Sequence, residues 1–245
     1  KMEKQDSLKA ALGFRKNETI VVVGSGGKTT FCLELCEELK NENKVFFTTT
    51  TKILEPKMRE KYKIYISKNI LEEKFLEKGA YILGQEINKE KKILPFDLDI
   101  IDKLREKCDY LIIEGDGSKM KPLKAWNENE PVFVKSTNKT VGIIPIKAVG
   151  LTLNEENVHR IDKFLKMTHG SIGENINIGH LYEIITEDKG LFKDSMGEKI
   201  LFINQVENDQ DFENSMKLVN LLKEKSKKLD KIIISSLKDK KYYLV

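Results

Sequence analysis

The chain has 245 residues, 40% of them hydrophobic, with 43 Lys+Arg against 39 Asp+Glu and a net charge of +4. That balance excludes a disordered or fibrous chain and fits one globular domain with a core of its own. Arginine occurs only at Arg15, Arg59, Arg105 and Arg160, the lysines alternate with acids, and no apolar run approaches the ~20 residues of a membrane span, so neither nucleic acid nor a membrane is an expected partner.

In chain order, short β-branched runs at 19–23, 44–48, 63–66, 110–113, 140–144, 200–206 and 232–235 read as strands. Apolar residues at helical spacing place helices at 29–39, 69–77, 98–106, 158–167, 178–186 and 211–225. Strands alternating with helices imply an α/β fold, a mostly parallel open sheet with helices on both faces. Residues 80–95 fit that alternation less well and read as a small hairpin outside the main sheet. With no repeat and no linker-like stretch, residues 1–245 form a single domain on this reading. Cys32, Cys36 and Cys108 lack metal or redox spacing, and Cys32 and Cys36 share the apolar face of Phe31, Leu35 and Leu39. Together with the polar stretch 1–9, this points to a cytoplasmic protein whose cysteines are small core residues.

The most informative stretch follows the first central strand: Gly24, Ser25, Gly26, Gly27, Lys28, Thr29 and Thr30, leading into the 29–39 helix. Glycines let successive N–H groups converge on one concavity, and a helix N-terminus adds partial positive charge. Lys28 would reach the outer phosphates and the Thr29 hydroxyl would hold Mg²⁺. The strict P-loop pattern has glycine where Val22 stands; the shorter form here is similar to the phosphate loop of Mur-type ligases as well as that of P-loop NTPases.

A second constellation ends the 110–113 strand in Glu114, Gly115, Asp116, Gly117 and Ser118. An apolar strand that terminates in acids resembles a Walker B element, whose carboxylates hold Mg²⁺ and orient a nucleophile. Alternation along an extended strand would point Glu114 and Asp116 the same way. The run Thr48, Thr49, Thr50, Thr51 at another strand end fits either a hydroxyl sensor of the terminal phosphate or plain β-propensity with a helix cap. Ser118 to Trp126 carries Lys119, Lys121 and Lys124 close to the acids, a spacing that favours an anionic ligand between the lysines. His159 and Arg160 suit either an anion-gripping, proton-relaying pair or a surface pair at a helix start.

The glycine-rich motif, the threonine run and the Glu114–Ser118 motif together resemble the YqeC family, and so do 121–125, 130–132, 158–160 and 203–206. The resemblance implies a P-loop NTPase-like fold and an accessory role for selenium-dependent molybdenum hydroxylases. A molybdenum hydroxylase or its cofactor would then be the client, and His159 and Arg160 would be functional. The 200–207 stretch also looks like the base-reading element of GTPases, with Gln205 and Glu207 in place of its Lys and Asp, which makes Asn204 the base contact.

The expected activity is therefore Mg²⁺-dependent binding, with hydrolysis, of ATP or GTP. Lys28, Glu114, Asp116 and Arg160 are the expected catalytic groups; Thr29, Asp116 and Glu114 hold the metal; Lys121, Lys124 and His159 engage a second ligand. The alternatives are a ligase or kinase acting on a small anionic substrate and a nucleotide-gated cofactor chaperone without turnover. A homodimer across the nucleotide is left open.

Overall fold

The computed structural model describes residues 1–55, 62–226 and 228–245. β1 (Glu3–Gln5) and α1 (Leu8–Leu12) precede β2 (Glu18–Gly24), α2 (Lys28–Leu39) and β3 (Lys44–Thr49). Five strands follow: β4 (Ile53–Leu54), β5 (Lys63–Ile66), β6 (Gly79–Gly84), β7 (Glu86–Ile87) and β8 (Lys92–Leu94). After α3 (Leu98–Leu104) come β9 (Tyr110–Glu114), β10 (Leu123–Lys124), β11 (Thr137–Pro145) and β12 (Val158–His159). The chain closes with α4 (Ile161–Thr168), α5 (Ile178–Thr186), β13 (Glu198–Asn204), α6 (Asp209–Lys225), β14 (Lys231–Ser236) and β15 (Lys241–Leu244).

Among the described residues, ten strands form one sheet in the order β1-β15-β14-β13-β11-β2-β9-β3-β6-β5. The eight from β14 to β5 are parallel, and β15 and β1 add an antiparallel edge. Alternation along the strands divides the core in two. Ile20, Val22, Phe47 and Ile112 pack with α1 and α2 on one face. Val21, Val23, Phe46, Leu111 and Ile113 pack on the other with residues of α3, α4, α5 and α6. Continuously apolar strands are thus buried on both faces, as a parallel sheet requires. Cys32 and Cys36 sit fully buried on the inward face of α2, and Cys108 is buried at the start of β9. Among the described residues, no helix is long and apolar enough to cross a membrane.

β2 lies at the point where the chain changes direction across the sheet. Its partners are β9 on one side and β11 on the other, so the loop leaving its carboxyl end opens into the crevice of a topological switch point.

Three expectations are corrected. Residues 80–84 belong to the main sheet as β6, because Phe46 and Phe47 of β3 pair with Tyr81 and Ile82. Only the later part of that stretch leaves it, in a three-stranded sheet ordered β4-β8-β7. The helix expected at 69–77 is a single 3-10 turn, Ile70–Glu72. Phe75 instead inserts between Phe46 and Tyr81, ring centroids 4.6 and 5.2 Å away, and that aromatic packing overrides helical propensity. The helix expected from residue 158 starts at Ile161, since Val158 and His159 pair in parallel with Leu123 and Lys124, and Arg160 turns left-handed at φ 60°.

Phe46 anchors this cluster with no exposed surface, so Phe46→Ala should lower unfolding free energy by about 3–5 kcal/mol in urea titration. The half-exposed Phe212→Ala should cost under about 1 kcal/mol.

Candidate functional site

The turn after β2 is built for close backbone approach. At Gly24, φ is +100° and a Cβ would lie 2.3 Å from the Ile143 carbonyl oxygen; at Gly26, φ is +81° and a Cβ would strike Pro145. The Ser25 N–H donates to that Ile143 carbonyl at 3.1 Å, which ties the turn to β11. α2 starts at Lys28 with Gly27 as N-cap and no side-chain cap, so its first-turn N–H groups face outward as unshielded donors.

Beneath the turn lies a buried charge cluster. Asp116 has no exposed surface, and its carboxylate accepts from the Gly24 N–H at 3.0 Å, from Lys28 Nζ at 2.6 Å and from Trp126 Nε1 at 2.6 Å. Lys124 Nζ stands 3.2 Å from it and 3.1 Å from Glu130, which also pairs with Arg160. Burial works to raise the Asp116 pKa, but Lys28, Lys124 and the Gly24 N–H outweigh it and hold the acid below its usual value. Burial works against the Lys28 charge as well, yet Asp116 and Glu114 keep that pKa above normal. Glu114 is shifted the other way: burial raises its pKa despite Lys28 and the hydrogen bond from Thr29. For Lys124, burial together with the nearby Lys28 outweighs Asp116 and Glu130 and lowers the pKa.

Above the cluster opens a cleft of about 990 Å³. Its floor includes Gly26, Gly27, Lys28, Thr29, Thr30 and Glu114. The Thr29 hydroxyl donates to Glu114 Oε2 at 2.9 Å, which places two hard oxygen donors side by side at the cleft floor. Among the described residues no group of three His, Cys, Asp or Glu side chains could hold a metal by itself. Two oxygens at this spot fit Mg²⁺, which keeps most of its coordination for waters and phosphate oxygens.

The structure redistributes several expected roles. Asp116 is enclosed by its donors and does not line the cleft, which leaves Glu114 and the Thr29 hydroxyl as the oxygen donors there that could hold a metal. Lys124 is neutralised inside the protein rather than by a ligand, whereas Lys119 and Lys121 do line the cleft. The Arg160 guanidinium binds Glu130 and the Ala125 carbonyl and does not line the cleft. His159 is buried in the small β10–β12 ladder, likewise away from the cleft. Asn204 is buried under the turn, its amide donating to the Gly26 carbonyl at 2.9 Å and accepting from the Leu237 N–H at 3.1 Å, so it braces the loop instead of facing a base. The threonines bridge backbone: Thr48 donates to the Leu83 carbonyl at 2.8 Å, Thr49 to the Glu114 carbonyl at 3.1 Å and Thr50 to the Val132 carbonyl at 3.1 Å.

Trp126 and Glu130 fall in stretches that the sequence singles out without assigning either a role of its own, although both lie within the cluster. The signal was present in a sole tryptophan two residues from a lysine, but indole burial against a carboxylate is a tertiary fact.

The sheet, its flanking helices and the turn at the switch point define an α/β protein with a P-loop NTPase-like fold. A family model described as YqeC protein matches residues 20–162. "Uncharacterized protein YqeC" of Escherichia coli (strain K12) is 30% identical over 201 residues, covering 79% of this chain and 78% of that protein. The chain belongs to the YqeC family. No solved structure matches it significantly.

His159 supplies a pH test. Burial, then Arg160, Lys124, Lys119 and Lys121, push its pKa from 6.5 down to about 4. Between those values the unfolded chain binds the proton and the folded one does not, so stability should fall as pH drops from about 6.5 to about 4. Asp116, already held below 3.8, loses its contribution only at lower pH, and Glu114 acts in the opposite sense. His159→Asn should flatten the limb in urea unfolding measured across that window.

Proposed function

We propose that the chain binds a Mg²⁺-nucleotide at the Gly24–Thr30 turn and hydrolyses it in the service of maturing a selenium-dependent molybdenum hydroxylase. The observation that carries the nucleotide part is the joining of an uncapped helix N-terminus, the Lys28 ammonium and the Thr29–Glu114 oxygen pair at one cleft floor. Convergent N–H groups and a lysine suit phosphate oxygens, and the hydroxyl–carboxylate pair suits the accompanying Mg²⁺. When bound, the cation would neutralise charge on the outer phosphates.

The protein's own groups then divide the work. Lys28 exchanges its Asp116 contact for phosphate, Glu114 orients water beside the metal position, and Asp116 keeps the Gly24 N–H and Trp126 in place. The accessory role rests on family membership and on the resemblance described above. With Asn204 committed to the loop, neither ATP nor GTP is favoured by a base contact from that residue.

Lys28→Ala should weaken nucleotide binding roughly 10- to 100-fold in calorimetry, the worth of one or two charge-assisted hydrogen bonds. Unchanged affinity would sink the nucleotide reading. Glu114→Gln should abolish the gain in affinity that Mg²⁺ confers, while Asp116→Asn should keep that gain; the reverse pattern would return the metal to Asp116.

A further inference from the structure

One wall of the cleft takes no part in the nucleotide reading. Its lining comprises residues 117–122 together with Pro145, Lys147, Ala148 and Leu151. Lys119, Met120 and Lys121 line it together with Ala148 and Leu151. Met120 is 86% exposed and Leu151 36%, so large apolar side chains stand at the wall with little covering them.

The backbone there is held in an unfavourable conformation. Lys119 and Met120 are consecutive non-glycine residues with φ of 51° and 60°, a left-handed conformation that persists only where surrounding contacts impose it. Those contacts are present. Ser25 Oγ donates to the Pro122 carbonyl at 2.8 Å, the Lys121 N–H donates to the Ser118 carbonyl at 3.0 Å, and Lys124 Nζ grips the Gly117 carbonyl. Lys121 Nζ donates to the Glu155 carbonyl. The loop is therefore a braced tip that carries two lysines and an uncovered methionine.

Lys124 and Arg160 are balanced by Asp116 and Glu130, so the cationic groups this loop presents to the cleft are Lys119 and Lys121. Lys147, also on this wall, is already paired with Glu207 at 3.2 Å and Asp211 at 3.4 Å and adds little to them. Lys119 and Lys121 thus supply cationic groups next to an adaptable apolar surface of Met120, Ala148 and Leu151.

We propose that this wall is a second ligand subsite that takes a small molecule carrying an anionic group on an apolar body, seated beside the nucleotide. Lys119 and Lys121 meet the anion, and Met120 and Leu151 cover the body. The inference rests on the nucleotide reading only for what occupies the neighbouring part of the cleft.

Anilinonaphthalene sulfonate, an anion on an aromatic body, serves as the probe, followed by its fluorescence on the full chain with and without saturating Mg²⁺ and a non-hydrolysable ATP analogue. Saturation at one dye per chain under both conditions is expected. Lys119→Glu should weaken it by about tenfold or more and Met120→Ser by about fivefold. Inorganic phosphate, which lacks the apolar body, should compete only weakly. Absence of dye binding, equal affinity in both variants, complete displacement by the nucleotide analogue, or phosphate binding as tight as the dye's would each overturn the subsite. Calorimetry of the analogue in the same samples reads the nucleotide proposal separately, and its failure would leave the nucleotide-free dye arm to decide this one.

Discussion

A carboxylate with no exposed surface is the constraint on which the candidate site depends. Asp116 can stay ionised there only because the Gly24 N–H, Lys28, Lys124 and Trp126 all converge on it. A buried charge without such partners would cost several kcal/mol. Satisfying this one group draws together the glycine-rich turn, the end of β9 and the loop through Trp126. Glu130 and Arg160 then balance Lys124 one layer further back. The network sets three cations, Lys28, Lys124 and Arg160, against the three acids Asp116, Glu114 and Glu130, so their formal charges balance.

The same balance separates the two acids that end β9. Asp116 is held ionised by its cations, whereas burial pushes the pKa of Glu114 upward. Two carboxylates two residues apart thereby acquire different characters from their surroundings, the general way in which one site divides electrostatic and proton-handling duties. The more protonatable one, Glu114, stands at the cleft floor beside the Thr29 hydroxyl. Lys28 lies between both acids, 2.6 Å from Asp116 and 3.8 Å from Glu114, so any anion entering the cleft competes with Asp116 for its ammonium.

The architecture explains why the site has walls as well as a floor. The switch point beside β2 supplies the crevice, and two departures from the main sheet enclose it. The β4-β8-β7 sheet contributes Ile53, Leu54 and Lys91 on one side, and the braced 117–122 loop stands on another. That loop owes its position to the β10–β12 ladder and to Ser25, a residue of the glycine-rich turn itself. Floor and wall are thus mechanically connected through Ser25 and Pro122.

Strongly patterned local features were legible from residues alone. The continuous apolar runs in β2 and β9, the glycine-rich turn followed by the amphipathic α2, the inward-facing Cys32 and Cys36, and the α/β class all follow from periodicity and turn chemistry, which are properties of neighbours in sequence. Partnership at long range was not legible. Phe75 left a helical pattern to join Phe46 and Tyr81; Lys124, Arg160 and Asn204 turned inward to Glu130 and the glycine loop; Asp116 withdrew from the cleft that Glu114 kept. A charged side chain's role depends on which opposite charge it meets and how much water remains there, and across separations such as the 88 residues between Lys28 and Asp116 only the tertiary structure decides both.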